Sequence, residues 1–219
     1  MAERYGNRSE AGRELVKYLD HYIGTSNLLV LGLPRGGVVV AYEIASLLDS
    51  DLDIFLVRKL GTPGEPELAM GAIAEGGIVQ LNESVVKFLS ISKETVEQVA
   101  EEQLAELRRR ERMYRQGREP FDIRGKAVIV VDDGLATGAT MKVALEAISR
   151  QNPERLIVAV PVGSPSTTRE IRGKADDVIC PLQPDNFTAV GAWYDEFDQT
   201  SDEEVIELLK KRREEQEGK

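Results

Sequence analysis

Apolar residues are spaced along this chain in two different periods. Short runs with almost no polar interruption occur at Asn27–Leu33, Asp53–Val57, Val128–Val131, Arg155–Pro161 and Asp177–Cys180, and they read as strands buried on both faces. Between them the spacing becomes helical. Leu15, Val16, Leu19, Tyr22 and Ile23 form one face of a helix predicted over Ser9–Ile23, with Gly24 as its stop. Further helices are predicted over Val38–Leu48, Ser92–Arg115 and Met141–Arg150, and a short one ends near Ile171. The Ser92 helix carries a narrow apolar stripe at Val96, Ala100, Leu104 and Leu107, with Ser92 as N-cap. Strands alternating with helices predict an α/β fold, a mostly parallel twisted sheet flanked by helices. Leu68–Ala74 and Gly77–Leu81 interrupt the alternation as an inserted antiparallel hairpin.

Two of the strand–helix joints carry chemistry. The run Val128-Ile129-Val130-Val131 is closed by Asp132 and Asp133, and Gly134-Leu135-Ala136-Thr137-Gly138-Ala139-Thr140 then opens directly into a helix. Loop amides and the helix dipole can hold a phosphate dianion. The paired carboxylates can accept hydrogen bonds from vicinal hydroxyls. The stretch therefore reads as a sugar-phosphate site. The first strand breaks at Pro34-Arg35-Gly36-Gly37 before a helix in the same way; here glycines admit a close ligand and Arg35 offers a planar cation.

Composition narrows the picture. The 219 residues suit one domain, with a core over about 25–180 and a distinct segment over 181–219. A net charge of −10 argues against a general electrostatic grip on nucleic acid. One cysteine excludes an internal disulfide, and one histidine excludes a multi-histidine metal site. Neither a signal-like apolar core near Met1–Tyr5 nor a membrane-length apolar run is present, which predicts a cytoplasmic protein without a membrane partner. The cluster Arg108, Arg109, Arg110, Arg112 and Arg115 sits among Glu101, Glu102, Glu106 and Glu111 and reads as a solvated ion-pair face. The last segment holds Phe187, Trp193, Tyr194 and Phe197, then a helix with a Ser201/Glu204 capping box that is expected to fray over Lys210–Glu215.

Residues 128–140 closely resemble the PRPP-binding motif of the type I phosphoribosyltransferases, an apolar strand, two acidic residues and a loop ending Thr-Gly-x-Thr. Arg35-Gly36-Gly37 looks like the Arg-Gly-Gly pyrophosphate loop of some purine-salvage members. Arg58-Lys59-Leu60-Gly61 looks like the start of the flexible catalytic loop in adenine phosphoribosyltransferases. As a whole the chain resembles family members of unassigned acceptor, from about Tyr5 through the aromatic tail. The resemblance implies displacement of pyrophosphate from C1 of PRPP by a nitrogenous acceptor, with Mg²⁺ as cofactor. In that reading Asp132 and Asp133 hold the ribose hydroxyls and meet Mg²⁺ indirectly, through water or substrate. Residues Gly134 and Ala136, Thr137, Gly138, Ala139 and Thr140 bind the sugar 5′-phosphate side. Pro34, Arg35, Gly36 and Gly37, with Arg58 and Lys59, meet the leaving group. The proline- and glycine-rich stretch 61–67 is expected to be a mobile lid, the aromatic tail a hood over the acceptor, and the protein a homodimer.

One departure bears on the acceptor. Hypoxanthine- and guanine-type members carry an aspartate where this chain has Ala136, and an alanine cannot serve as a general base. The loop 61–67 also lacks the lysine of orotate-type members. Either the base lies elsewhere, with Glu65 and Glu67 of that loop as candidates, or the acceptor needs none. A PRPP sensor without turnover is the alternative function, and a nucleotide-binding domain without PRPP is a third.

Overall fold

A computed structural model of the chain describes residues 4–218, the side chains of Pro66 and Glu67 excepted. Five parallel strands form the main sheet: β1 (Leu28–Gly32), β2 (Asp51–Ile54), β6 (Ala127–Val131), β7 (Arg155–Ala159) and β8 (Asp177–Ile179), in the spatial order β2-β1-β6-β7-β8. A separate antiparallel sheet holds β3 (Val57–Thr62), β4 (Glu65–Ala74) and β5 (Val79–Leu81). This is the α/β architecture and inserted hairpin that the hydrophobic pattern predicts.

The central strands divide the core between two layers. In β1, Leu28 and Val30 face one apolar cluster and Leu29 and Leu31 the other. In β6 the division is Ala127, Ile129 and Val131 against Val128 and Val130. Residues two apart share a face, so an uninterrupted apolar strand is what a sheet covered on both sides requires. The first cluster takes in α1 (Arg8–Val16), α2 (Gly36–Leu48), α4 (Lys93–Arg115) and α7 (Asp202–Glu217); the second is filled by α5 (Ala139–Ser149). Two short helices, α3 (Glu83–Phe88) and α6 (Pro165–Ile171), complete the set. Among the described residues no helix is long and apolar enough to cross a membrane.

Four expectations need correction. The first helix ends at Val16 rather than Ile23 and is followed by a single 3-10 turn at Asp20–Tyr22, which buries Leu19 and Tyr22 but turns Ile23 outward at 61 % exposure. The second strand is Asp51–Ile54, not Asp53–Val57, and the chain leaves the main sheet at Phe55. Arg58 and Lys59 therefore lie inside β3 and not past a core strand end. The tail helix does not fray over 210–215. It runs to Glu217 because Arg212, buried, donates to the Ser50 carbonyl at 3.0 Å and to Asp49 at 2.9 Å. Arg115 is no part of a solvated face either. It is buried between Asp53 and Glu75, whereas Arg109 and Arg110 do form the exposed pairs with Glu106.

Candidate active site

The sheet order creates the site. The chain leaves β1 towards β2 on one side and later returns to β6 on the other, so β1 and β6 are neighbours whose following loops diverge. In open parallel sheets ligands bind at such a switch point. Gly32 pairs with Val131, and the Leu33 amide donates to the Val131 carbonyl at 2.8 Å, so the loop at Pro34–Gly37 and the loop at Asp132–Gly138 leave the sheet side by side.

They pack closely enough to dictate residue type. A methyl group on Gly36 would lie 2.1 Å from Asp133 Oδ2. One on Gly37 would lie 2.7 Å from the Val131 carbonyl and 2.8 Å from Asp132 Cα. Only glycine lets the first loop lie against the acidic pair. The peptide bond between Pro34 and Arg35 is cis. The Arg35 side chain turns towards the start of α7, 3.8 Å from Asp202, whose carboxylate also accepts from the Tyr114 hydroxyl at 2.5 Å.

Both carboxylates are half-buried. Burial pushes the Asp132 carboxyl well above the usual range, and the neighbouring Asp133 charge adds to this. Burial also raises Asp133, while a hydrogen bond from Arg8 opposes the rise. Arg8 is a residue that no motif pointed to. Its Nε donates to Asp133 Oδ2 at 2.8 Å, its Nη1 donates to the Asp198 carbonyl at 2.7 Å, and its guanidinium lies 3.9 Å from the Phe197 ring centre. The only sequence signal was Arg8 standing just after Asn7, the N-cap of α1. Nothing local says that the far ends of the chain converge here.

The loop 132–138 joins β6 to α5. Gly138 is left-handed at φ 66° and begins α5, with no side chain capping that helix. Thr137, Ala139 and Thr140 are exposed or border exposed positions, so the loop faces solvent. Thr167 donates to the Ala136 carbonyl at 2.6 Å and holds the loop from behind. A methyl on Gly134 would strike Val190 at 2.5 Å, so the tail rests on the loop.

The tail aromatics are pinned to this region. Tyr194 is buried, and its hydroxyl donates to the Asp133 carbonyl at 2.7 Å. The Tyr5 amide donates to the Trp193 carbonyl at 3.0 Å, and the Asp195 and Glu196 amides return to the Tyr5 and Gly6 carbonyls at 2.9 and 2.8 Å. The segment that covers the acidic pair is thus built from both ends of the chain, not from residues 181–219 alone.

The hairpin cations are not gathered at this centre. Arg58 is held against α4, with Nε donating to Gln103 at 2.8 Å and Nη1 3.6 Å from Glu106, and burial beside Arg110 lowers its pKa. Strand alternation puts Lys59 on the opposite face from Arg58. The stretch 61–67 is the hairpin tip, turning at Pro63-Gly64 with Glu65 exposed; the side chain of Glu67 lies outside the described residues.

Comparison with known proteins agrees with this arrangement. The phosphoribosyl transferase domain model matches residues 3–196. A crystal structure of TT1426 from Thermus thermophilus superposes with a TM-score of 0.81 at 41% identity, covering 94% of this chain and 97% of that one. MT0597 of Mycobacterium tuberculosis, named provisionally as a phosphoribosyl transferase, is 42% identical over 205 residues, 94% of this chain. The chain spans about half the length of that curated relative, 46%. A 47-residue stretch, 21% of this chain, is 49% identical to the bifunctional protein PyrR of Thermus aquaticus, covering 26% of that protein. The chain belongs to the phosphoribosyl transferase domain family.

Proposed function

We propose that the protein transfers the phosphoribosyl group of PRPP to a nitrogenous acceptor. The C1–oxygen bond to pyrophosphate breaks, a C1–nitrogen bond forms, and the acceptor nitrogen gives up a proton. The observation that carries the reading is the packing of Gly36 and Gly37 on Asp133 and Asp132 at the ends of β1 and β6. That packing brings the Gly36–Gly37 loop and the acidic pair to one point, which supports reading them as the two sides of one ligand site.

Asp132 and Asp133 accept from the ribose hydroxyls and stabilise positive charge on the ring in an oxocarbenium-like transition state. The amides of residues 136–140 and the uncapped start of α5 take the 5′-phosphate. Gly36 and Gly37 bring main-chain amides to the departing pyrophosphate. Arg35 is the cation on that loop, whereas Arg58 and Lys59 stand on the separate hairpin, Arg58 held by Gln103 and Glu106. Two half-buried carboxylates are hard oxygen donors that suit Mg²⁺ held mainly through water and substrate oxygens. One oxygen of each is already engaged, Asp132 Oδ1 by the Asp133 amide at 2.9 Å and Asp133 Oδ2 by Arg8. The other oxygens are those available to a hydrated cation, which would neutralise charge on the leaving group. With alanine at 136, an acceptor that needs a base must find it elsewhere, and Glu65 at the hairpin tip is the described candidate. The family resemblance extends the proposal to a cytoplasmic homodimer, which sedimentation and cell fractionation test.

The deciding measurement is pyrophosphate release from PRPP and Mg²⁺ with a panel of purines, pyrimidines and amines. Release with one acceptor class supports the transfer reading. Tight PRPP binding without release for any acceptor assigns the site to sensing. Absence of PRPP binding overturns both.

A further inference from the structure

The Arg8 contacts join three parts of the molecule that the sequence keeps far apart. Its Nε is bonded to Asp133 Oδ2 at 2.8 Å, and its side chain is only 12% exposed against 17% for Asp133. Through Nη1 and its ring-facing side it reaches Asp198 and Phe197 of the C-terminal segment. The pyrophosphate-type loop completes the set, since a methyl on Gly36 would meet both Arg8 Nε at 2.7 Å and Asp133 Oδ2. One guanidinium thus fixes a carboxylate rotamer, braces the loop opposite, and anchors the segment above. A lysine could make the ion pair but not the second, planar donation.

We propose that Arg8 is a positioning residue. It sets the Asp133 carboxylate for the ribose hydroxyls and ties that carboxylate to the docking of residues 193–198 over the site. Its ligand-dependent half rests on the PRPP reading above; the docking half does not. Partly buried contacts of this kind couple two positions that neither loop could fix alone. The two-ended zipper at Tyr5–Gly6 and Trp193–Glu196 explains why an N-terminal arginine can do this: it is held beside the tail before any ligand arrives.

Two measurements test the proposal on the full chain, with Arg13→Ala, which removes an exposed pair with Glu43, as control. Without ligand, acrylamide quenching of Trp193, the one tryptophan, reports docking of the tail. Arg8→Ala raises quenching about twofold by loosening that segment, Arg8→Lys raises it less, and Arg13→Ala leaves it unchanged. With PRPP and Mg²⁺, Arg8→Ala weakens binding about tenfold. Against an Asp133→Asn background the same substitution adds almost nothing, because Arg8 acts through that carboxylate. Fully additive losses would show that Arg8 touches the ligand directly and overturn the positioning role. Unchanged quenching in Arg8→Ala overturns the docking half. If the wild type binds no PRPP, the transfer reading fails while the quenching series still decides whether Arg8 anchors the tail.

Discussion

Two arginine–carboxylate clusters in this molecule use the same groups in opposite ways. Arg115 lies 3% exposed at the base of the hairpin, with Asp53 at 3.0 Å, Glu75 at 2.6 Å, Glu111 at 3.3 Å and the Ile54 carbonyl at 3.0 Å. Its guanidinium nitrogens all have acceptors, and burial with these partners ties the α4 end to β2 and the turn after β4. Arg8 meets one carboxylate of a pair at the open end of the sheet, and the Asp132 carboxyl beside it has no cation of its own among the described contacts. The first cluster is closed and structural. The second leaves the Asp132 carboxyl without a cation partner at the open end of the sheet, an arrangement that binding sites keep at some expense of stability. Removing a charged group should therefore destabilise one cluster and relieve the other.

The largest effect is expected at Arg115. Arg115→Leu leaves Asp53 and Glu75 buried without a cation and should cost about 3–5 kcal/mol, read as a lower denaturant midpoint. Asp132→Asn should behave in the reverse manner. Burial and the Asp133 charge already disfavour its ionised form, so the substitution should raise stability by about 1 kcal/mol in the same measurement. PRPP binding should nevertheless fall roughly 100-fold by calorimetry, since a charged acceptor for the ribose is lost. Loss of stability in Asp132→Asn would erase the contrast between the clusters.

A pH series sharpens the contrast within the closed cluster. Arg115 is one cation among three carboxylates, and burial pushes Glu75 up from the ordinary 4.5 to about 8. The folded state therefore holds a proton on Glu75 that the unfolded chain has released. Its contribution is fully present below about pH 4.5 and is lost as the pH rises towards 8. Urea midpoints should decline over that window, and Glu75→Gln should flatten the decline. An equal decline in the variant would assign it to other groups.

The acidic pair and both glycines of the first loop were legible in the sequence, because strand-to-helix joints fix local order and the chemistry is contiguous. The parallel sheet was legible for the same reason: apolar runs such as Val128–Val131 admit no other packing. Arg8, Arg115 and Arg212 were not. Each is a charged residue on a helix with partners 40 or more positions away, Asp133 for Arg8, Glu75 for Arg115 and Asp49 for Arg212, and local periodicity assigns such residues to solvent. Arg58-Lys59 was misplaced because Asp53–Val57 reads as one strand. In the fold Asp53 is committed to Arg115 and the chain turns into a second sheet at Phe55. Aromatic clustering in the tail signalled a covering segment but not that Tyr5 and Gly6 form half of it.

The smallest effect separates anchoring of the site from anchoring of the fold. Tyr194 and Tyr5 are both buried, pack with ring centroids 5.8 Å apart, and donate their hydroxyls to main-chain carbonyls, Tyr194 to Asp133 at 2.7 Å and Tyr5 to Pro161 at 3.1 Å. Burial raises both phenols, Tyr5 to about 12, so each remains a donor throughout the working pH range. Replacing either by phenylalanine removes one hydrogen bond, at about 1 kcal/mol in each case, and the Pro161 carbonyl keeps the Leu182 amide at 3.3 Å. The consequences for the ligand should differ. The Asp133 carbonyl lies on the peptide that links the acidic pair to the loop beginning at Gly134, and Pro161 lies one strand away beyond β7. Tyr194→Phe should therefore weaken PRPP binding by a few-fold while Tyr5→Phe leaves it unchanged at equal stability loss. Equal binding losses would mean that the tail acts on the site only by holding the fold together, and the distinction between closed and open clusters would lose its second support.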